Sequence, residues 1–133
     1  KHLKDGIMSY DIHVYPIELK EKTISENMNL DDVFNYIEKK QNLIAFSEEQ
    51  IKLLEEHLIY RGFKLKKESL NRKDYSHSKY TSISVMVTPT GVYFNGRGDD
   101  VFEMSMTAGE FTYFGNLKGK FGVFDPSNKG WQK

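Results

Sequence analysis

Ser47-Glu48-Glu49-Gln50-Ile51-Lys52-Leu53-Leu54-Glu55-Glu56-His57-Leu58-Ile59-Tyr60-Arg61-Gly62-Phe63-Lys64-Leu65-Lys66 (residues 47–66) holds a helix followed at once by a strand. Ser47 with Gln50 fits a capping box, in which side chains and backbone N–H groups at a helix start satisfy one another. Ile51, Leu54 and Leu58 recur at helical spacing and form one apolar stripe. Gly62 can take the left-handed turn that ends a helix without a Cβ clash. The stretch therefore predicts a helix over 48–61. Phe63-Lys64-Leu65-Lys66 alternates apolar and charged, so the chain passes directly into an extended strand.

Toward the N-terminus, Tyr10-Asp11-Ile12-His13-Val14-Tyr15 alternates with a period of two and predicts a strand stopped near Pro16. Residues 20–30 read as a polar linker. Asp31 and Asp32 precede Val33, Phe34 and Ile37, with acids at the positive end of a helix dipole, and predict a helix over 31–41. Toward the C-terminus, 71–78 reads as a polar loop. The β-branched run from Tyr80 to Thr88 sets Ile83, Val85 and Val87 on one face of a strand, and Pro89-Thr90-Gly91 makes the turn. Val92-Tyr93-Phe94 returns as the second strand of a hairpin, closed by Asn95-Gly96-Arg97-Gly98. Phe102, Met104 and Met106 alternate with Val101, Glu103 and Ser105, which predicts a further strand. Lys120 to Phe124 is a final short strand, followed by Asp125-Pro126 and the tail Ser127-Asn128-Lys129-Gly130-Trp131. Helices gathered early and strands gathered late predict an α+β fold: a mainly antiparallel sheet of four to six strands with two helices packed on one face. Ile51, Leu54, Leu58 and Val33 would then grease a single side and leave the reverse free to grip another molecule.

At 133 residues and 15.5 kDa the chain is the size of one domain. Met8-Ser9 resembles a natural start, so residues 1–7 read as an upstream leader and residues 8–133 as a single α+β domain. The chain has no Cys, which excludes a disulfide framework, a thiolate nucleophile and a Cys-based zinc site. Lys and Arg number 19, equal to Asp and Glu, so no global field favours nucleic acid or an anionic membrane. No apolar run approaches the length of a membrane span. With no signal-peptide succession and no Cys, the reading favours the cytoplasm.

Asp-Asp-Val-Phe occurs at 31–34 and again at 99–102, without a repeat around it. Arg97-Gly98-Asp99 spells an adhesion tripeptide but reads as a turn, and Gly96-x-Gly98 lacks the third glycine and following helix of a dinucleotide site. No cofactor is implied. Asp99, Asp100, Glu103 and Glu110 give residues 99–117 four negative charges and no positive ones. They read as a solvated acidic rim, with a Mg²⁺ or Ca²⁺ site as the sharper alternative, because such ions need converging oxygens. Residues 62–79 mirror this: Lys64, Lys66, Lys67, Arg72, Lys73 and Lys79 face only Glu68 and Asp74. His13, His57 and His77 form no short metal-binding spacing, and no nucleophile elbow is present.

The chain carries nine Phe, eight Tyr and one Trp, and half of them follow residue 90. With Phe94, Phe102 and Phe124 inward, Tyr93, Tyr113 and Trp131 fall on the second face, where Tyr and Trp would serve an interface. The opening Met8-Ser9-Tyr10-Asp11-Ile12 and the ending Phe124-Asp125-Pro126-Ser127-Asn128-Lys129-Gly130-Trp131 resemble a loose group of small bacterial proteins. Some of these accompany polymorphic toxins and are similar to immunity proteins. The resemblance covers about twenty residues at the two ends and implies a cytoplasmic inhibitor that occludes a toxin, with no catalytic residue to carry over. The expected partner-binding residues are Asp99, Asp100, Glu103, Glu110, Tyr93, Tyr113 and Trp131; against a nuclease toxin the acids would fill a phosphate-binding groove. The rival reading is a metal-binding protein or hydrolase using Asp99, Asp100, Glu103 and a histidine. A third is self-association through the aromatic face.

Overall fold

The computed structural model describes residues 2–4, 7–127 and 130–133. Its strands are β1 (His2–Lys4), β2 (Ile7–Pro16), β3 (Phe63–Ser69), β4 (Arg72–His77), β5 (Ser84–Val87), β6 (Val92–Arg97), β7 (Phe121–Asp125) and β8 (Gly130–Trp131). Its α-helices are α1 (Ile17–Ser25), α2 (Leu30–Ile37), α3 (Glu48–Tyr60) and α4 (Asp100–Gly109). The fold is α+β, with an antiparallel sheet in the order β3-β4-β5-β6-β2-β7-β8 and β1 paired to the start of β2. The described residues thus give more strands and helices than the sequence predicts. Parts of two expected features, residues 1, 5 and 6 of the leader and 128–129 of the tail, lie outside the described residues.

The 47–66 stretch folds as read. Ser47 Oγ accepts from Gln50 N (3.1 Å), and Gln50 Oε1 accepts from Ser47 N (2.8 Å), closing the capping box. Gly62 sits at φ +90°, and a Cβ there would lie 2.8 Å from His77 Nε2. Both the left-handed turn and the close approach require glycine. The β5–β6 hairpin also follows expectation, with Ile83, Val85 and Val87 buried and Ser84 exposed.

Several elements differ. Residues 17–25, read mostly as linker, form α1. It has no side-chain cap and buries only Leu19 and Thr23, four residues apart, so its helical signal is two positions deep. Residues 72–77, read as loop, form β4; Tyr75 is its one buried side chain, and pairing with β3 and β5 on either side holds it extended. Residues 100–109, read as a strand from the Phe102/Met104/Met106 alternation, form α4. Met104, Thr107, Ala108 and Phe111 recur at i, i+3, i+4 and i+7 and are the buried set. That period prevails because it buries four positions on the sheet.

The helices do not share a face. Alternation sends Val14 and Val123 to one side and Tyr15 and Phe124 to the other. Leu54 and Leu58 of α3 and Met104 and Ala108 of α4 pack with Val14, Val85, Phe94, Phe111 and Val123. Leu19 of α1 and Val33 and Ile37 of α2 pack with Tyr15 and Phe124 on the reverse. The expected single greased side is corrected: Val33 lies opposite Leu54 and Leu58, and the reverse is covered over β2, β7 and β8. Gly122 marks how closely, since a Cβ there would stand 2.9 Å from Lys20 Cβ of α1. Over β3–β5 the reverse carries Lys64 and Ser84 at the surface.

Candidate functional site

The end of α3 and the chain after α4 meet at a polar knot. Helical spacing turns His57 inward and leaves Ile59 and Tyr60 outward, with Arg61 at the rim. Glu110 begins a 3-10 turn (Glu110–Thr112) and is buried, 3% exposed. Its Oε1 accepts from Arg61 Nε (2.8 Å) and from His57 Nε2 (2.9 Å), and its Oε2 accepts from Arg61 Nη2. Burial lowers the His57 pKa from its ordinary value, while the nearby Glu110 carboxylate pushes it back up. His57 is therefore neutral at pH 7, and the Glu110 charge is matched by Arg61, whose own pKa is raised by the Glu110 hydrogen bonds.

This knot fixes a surface. The Arg61 guanidinium lies 5.1 Å from the centre of the Tyr60 ring and 5.5 Å from that of Phe114, and those two rings are 5.9 Å apart. Cation–π attraction and the two-pronged Glu110 bond hold the guanidinium in one orientation. Tyr60 is 66% exposed and Ile59 63%, although neither is needed in the core. Ile59 and Tyr60 stand at one end of an open, nearly flat surface that runs along one face of α3 to Glu48.

The sequence-derived site residues are dispersed. Glu110 is corrected outright: it is inside, bonded to α3, and offers no charge to a partner. Asp100 Oδ2 accepts from Ser82 N (3.0 Å), and Asp99 precedes α4 at its positive end, so both serve the helix start. Glu103 is half-buried and Tyr113 is 59% exposed, so these two remain on the surface. Tyr93 and Trp131 lie on the reverse face as expected but pack into its cluster; Trp131 Nε1 donates to Thr23 Oγ1 (2.9 Å), and Tyr93 stacks edge-on to His13 with ring centres 4.9 Å apart. Phe102, expected inward, is 79% exposed, because a helix turns it away from the Met104 face.

The histidines are separated. His13 Nδ1 is 3.1 Å from Tyr15 Oη, and His77 Nε2 donates to the Arg61 carbonyl (3.0 Å). Among the described residues no group of three or more His, Asp or Glu side chains is placed to hold a metal ion. No described helix is long and apolar enough to cross a membrane.

Sequence reasoning missed Ile59, Tyr60 and Arg61. A signal was present: the stripe Ile51, Leu54, Leu58 accounts for one helix face and leaves Ile59 and Tyr60 on another. No family model, curated protein or solved structure matches the chain.

Proposed function

We propose that the chain is a protein-binding module without turnover, of the immunity type, that neutralises a bacterial toxin in the cytoplasm by covering part of its surface. One observation carries this reading: two large apolar side chains, Ile59 and Tyr60, stand exposed beside an arginine whose fork is already spent on Glu110. Tyr and Arg are the residue types that anchor interfaces, and anchors held still before contact lose little rotamer freedom on binding. Glu103 and Tyr113 from the expected set lie on the surface as well, and Phe102 adds apolar area on α4. The short terminal resemblance to immunity-like bacterial proteins points the same way.

The test is co-expression with the toxin-sized product of a gene adjacent to its own, scored by survival of the host. The unaltered chain should protect, and Tyr60→Ala with Ile59→Ala should abolish protection while leaving the thermal midpoint within about 2 °C, since both side chains are outside the core. Undiminished protection by that folded variant rejects the surface.

A further inference from the structure

The sheet face opposite α3 carries an excess of positive charge over β3–β5. Alternation along these strands sends Tyr75 and Val85 into the α3-side cluster and their neighbours to the reverse. Two cross-strand rows lie there: Lys64, Ser76 and Ser84 in one, and Lys67, Asp74 and Met86 in the next. The bulge between Leu65 and Lys67 adds Lys66 without a partner on β4. Lys64, Lys66 and Lys67 are exposed, and among the described residues none of them stands in an ion pair. Lys22, Lys73 and Lys120, by contrast, each meet a glutamate. A hollow of about 380 Å³ crosses the three strands from Lys66 and Lys67 to Thr81 and Ser82. The acid in its lining, Asp74, accepts from Arg72 Nε (3.0 Å), and Asp100 at the Ser82 end accepts from the Ser82 amide (3.0 Å). Glu68 pairs across the strands with Lys73, its carboxylate 3.8 Å from that ammonium, and Lys73 in turn reaches Glu55 of α3 on the other side.

We propose that this hollow docks an acidic segment of a protein partner, whose carboxylates meet Lys64, Lys66 and Lys67 and accept from the Ser76 and Ser84 hydroxyls. The site lies across the sheet from Tyr60 and Arg61 and does not depend on that surface. Charge sets the sign of the occupant. Three lysines within four residues repel one another, the residues across the strand from Lys64 are uncharged hydroxyls, and an anion relieves what a cation worsens. Side-chain chemistry separates protein from nucleic acid. Single-stranded bases bind by stacking on ring faces, and the one aromatic residue of the lining, Tyr75, is 4% exposed and belongs to the α3-side cluster. Half-buried Met86 instead offers a flexible apolar contact beside the lysines.

The probe is an eight-residue peptide of alternating Glu and Ala, with its Lys and Ala counterpart, titrated into the full ¹⁵N-labelled chain. The Glu/Ala peptide should shift amide signals of residues 64–67, 74–76 and 82–86. It should bind at least about tenfold more tightly than the Lys/Ala peptide at low salt, with the difference shrinking as salt screens it. Lys64→Gln, Lys66→Gln and Lys67→Gln together should remove that preference while the thermal midpoint holds, because all three side chains are exposed. Lys39→Gln, Lys40→Gln and Lys118→Gln, also exposed, change the net charge equally and should leave binding within about twofold. Equal binding of the two peptides, equal losses in the two triple variants, or signals that move elsewhere overturn the proposal. So does tighter binding of an eight-nucleotide oligothymidylate, which makes the occupant a nucleic acid, or the same shifts with inorganic phosphate alone, which make it a small anion. The Tyr60→Ala and Ile59→Ala pair should bind the Glu/Ala peptide as the unaltered chain does, so failure here and failure of the Tyr60 surface are read separately.

Discussion

Glu110 shows how far one residue's role depends on residues remote in sequence. It stands among Asp99, Asp100 and Glu103 in the chain, yet its carboxylate is bonded to His57 and Arg61, 53 and 49 residues away. A buried carboxylate survives only when its lone pairs and charge are matched. Glu110→Gln keeps the shape but removes the charge, and should cost about 2 kcal/mol, the range for hydrogen bonds to charged groups; the urea midpoint should fall with an unchanged m-value. The partly buried His13 and the buried His57 set a second expectation. Burial lowers the pKa of both His13 and His57, while Asp11 and Asp125 act upward on His13. In the unfolded chain these imidazoles return to their ordinary value of 6.5 and take up protons that the folded chain refuses. Stability should therefore be complete above pH 6.5 and fall as the pH drops below it. Urea midpoints at pH 7.5 and 5.5 measure the slope, and His13→Gln should flatten it; an unchanged slope would mean that His13 does not contribute.

At the scale of elements, two periodicities competed over residues 100–109, and burial chose between them. The alternation of Phe102, Met104 and Met106 is as regular as a strand requires. A strand there, however, would leave Thr107, Ala108 and Phe111 without a common face, whereas the helix buries them with Met104. Ser105→Pro, in the interior of α4, should cost about 3 kcal/mol or more through the lost backbone bond and ring clash. Phe102→Ser, by contrast, should stay within about 0.5 kcal/mol, as for other exposed sites. Both follow from thermal melts, and a costly Phe102→Ser with a harmless Ser105→Pro would restore the strand. The join between α3 and β3 offers another expectation. At Gly62 a Cβ is strained by φ +90° and crowded by His77, so Gly62→Ala should cost about 1–2 kcal/mol. The edge strand β3 carries Lys64, Lys66 and Lys67 and a bulge between Leu65 and Lys67, features that discourage pairing with another chain. They also argue for contact through α3 rather than through the sheet edge.

At the scale of the whole molecule, one sheet divides two apolar clusters. Leu58 belongs to the cluster under α3 and α4, Leu19 to the cluster under α1 and α2, and both are fully buried. Because β2 and β7 contribute residues to both sides, the clusters should unfold together. Leu19→Ala and Leu58→Ala are each expected to cost about 2–5 kcal/mol and to lower one shared transition seen by far-UV and near-UV dichroism alike. Two separated transitions in either variant would show that the faces are independent. The α+β class, the capped and glycine-ended α3 and the β5–β6 hairpin were all legible in the sequence. Their causes act between neighbours within a few residues: a Ser47–Gln50 cap, a 3.6-residue stripe, a Pro-Thr-Gly turn. Tertiary structure alone decided that Val33 packs opposite Leu58, that α1 forms on two buried positions, that Glu110 is interior, and that Tyr60 and Arg61 are presented together. Those outcomes depend on which side of the sheet each helix covers, and that is set by packing between segments far apart in the chain.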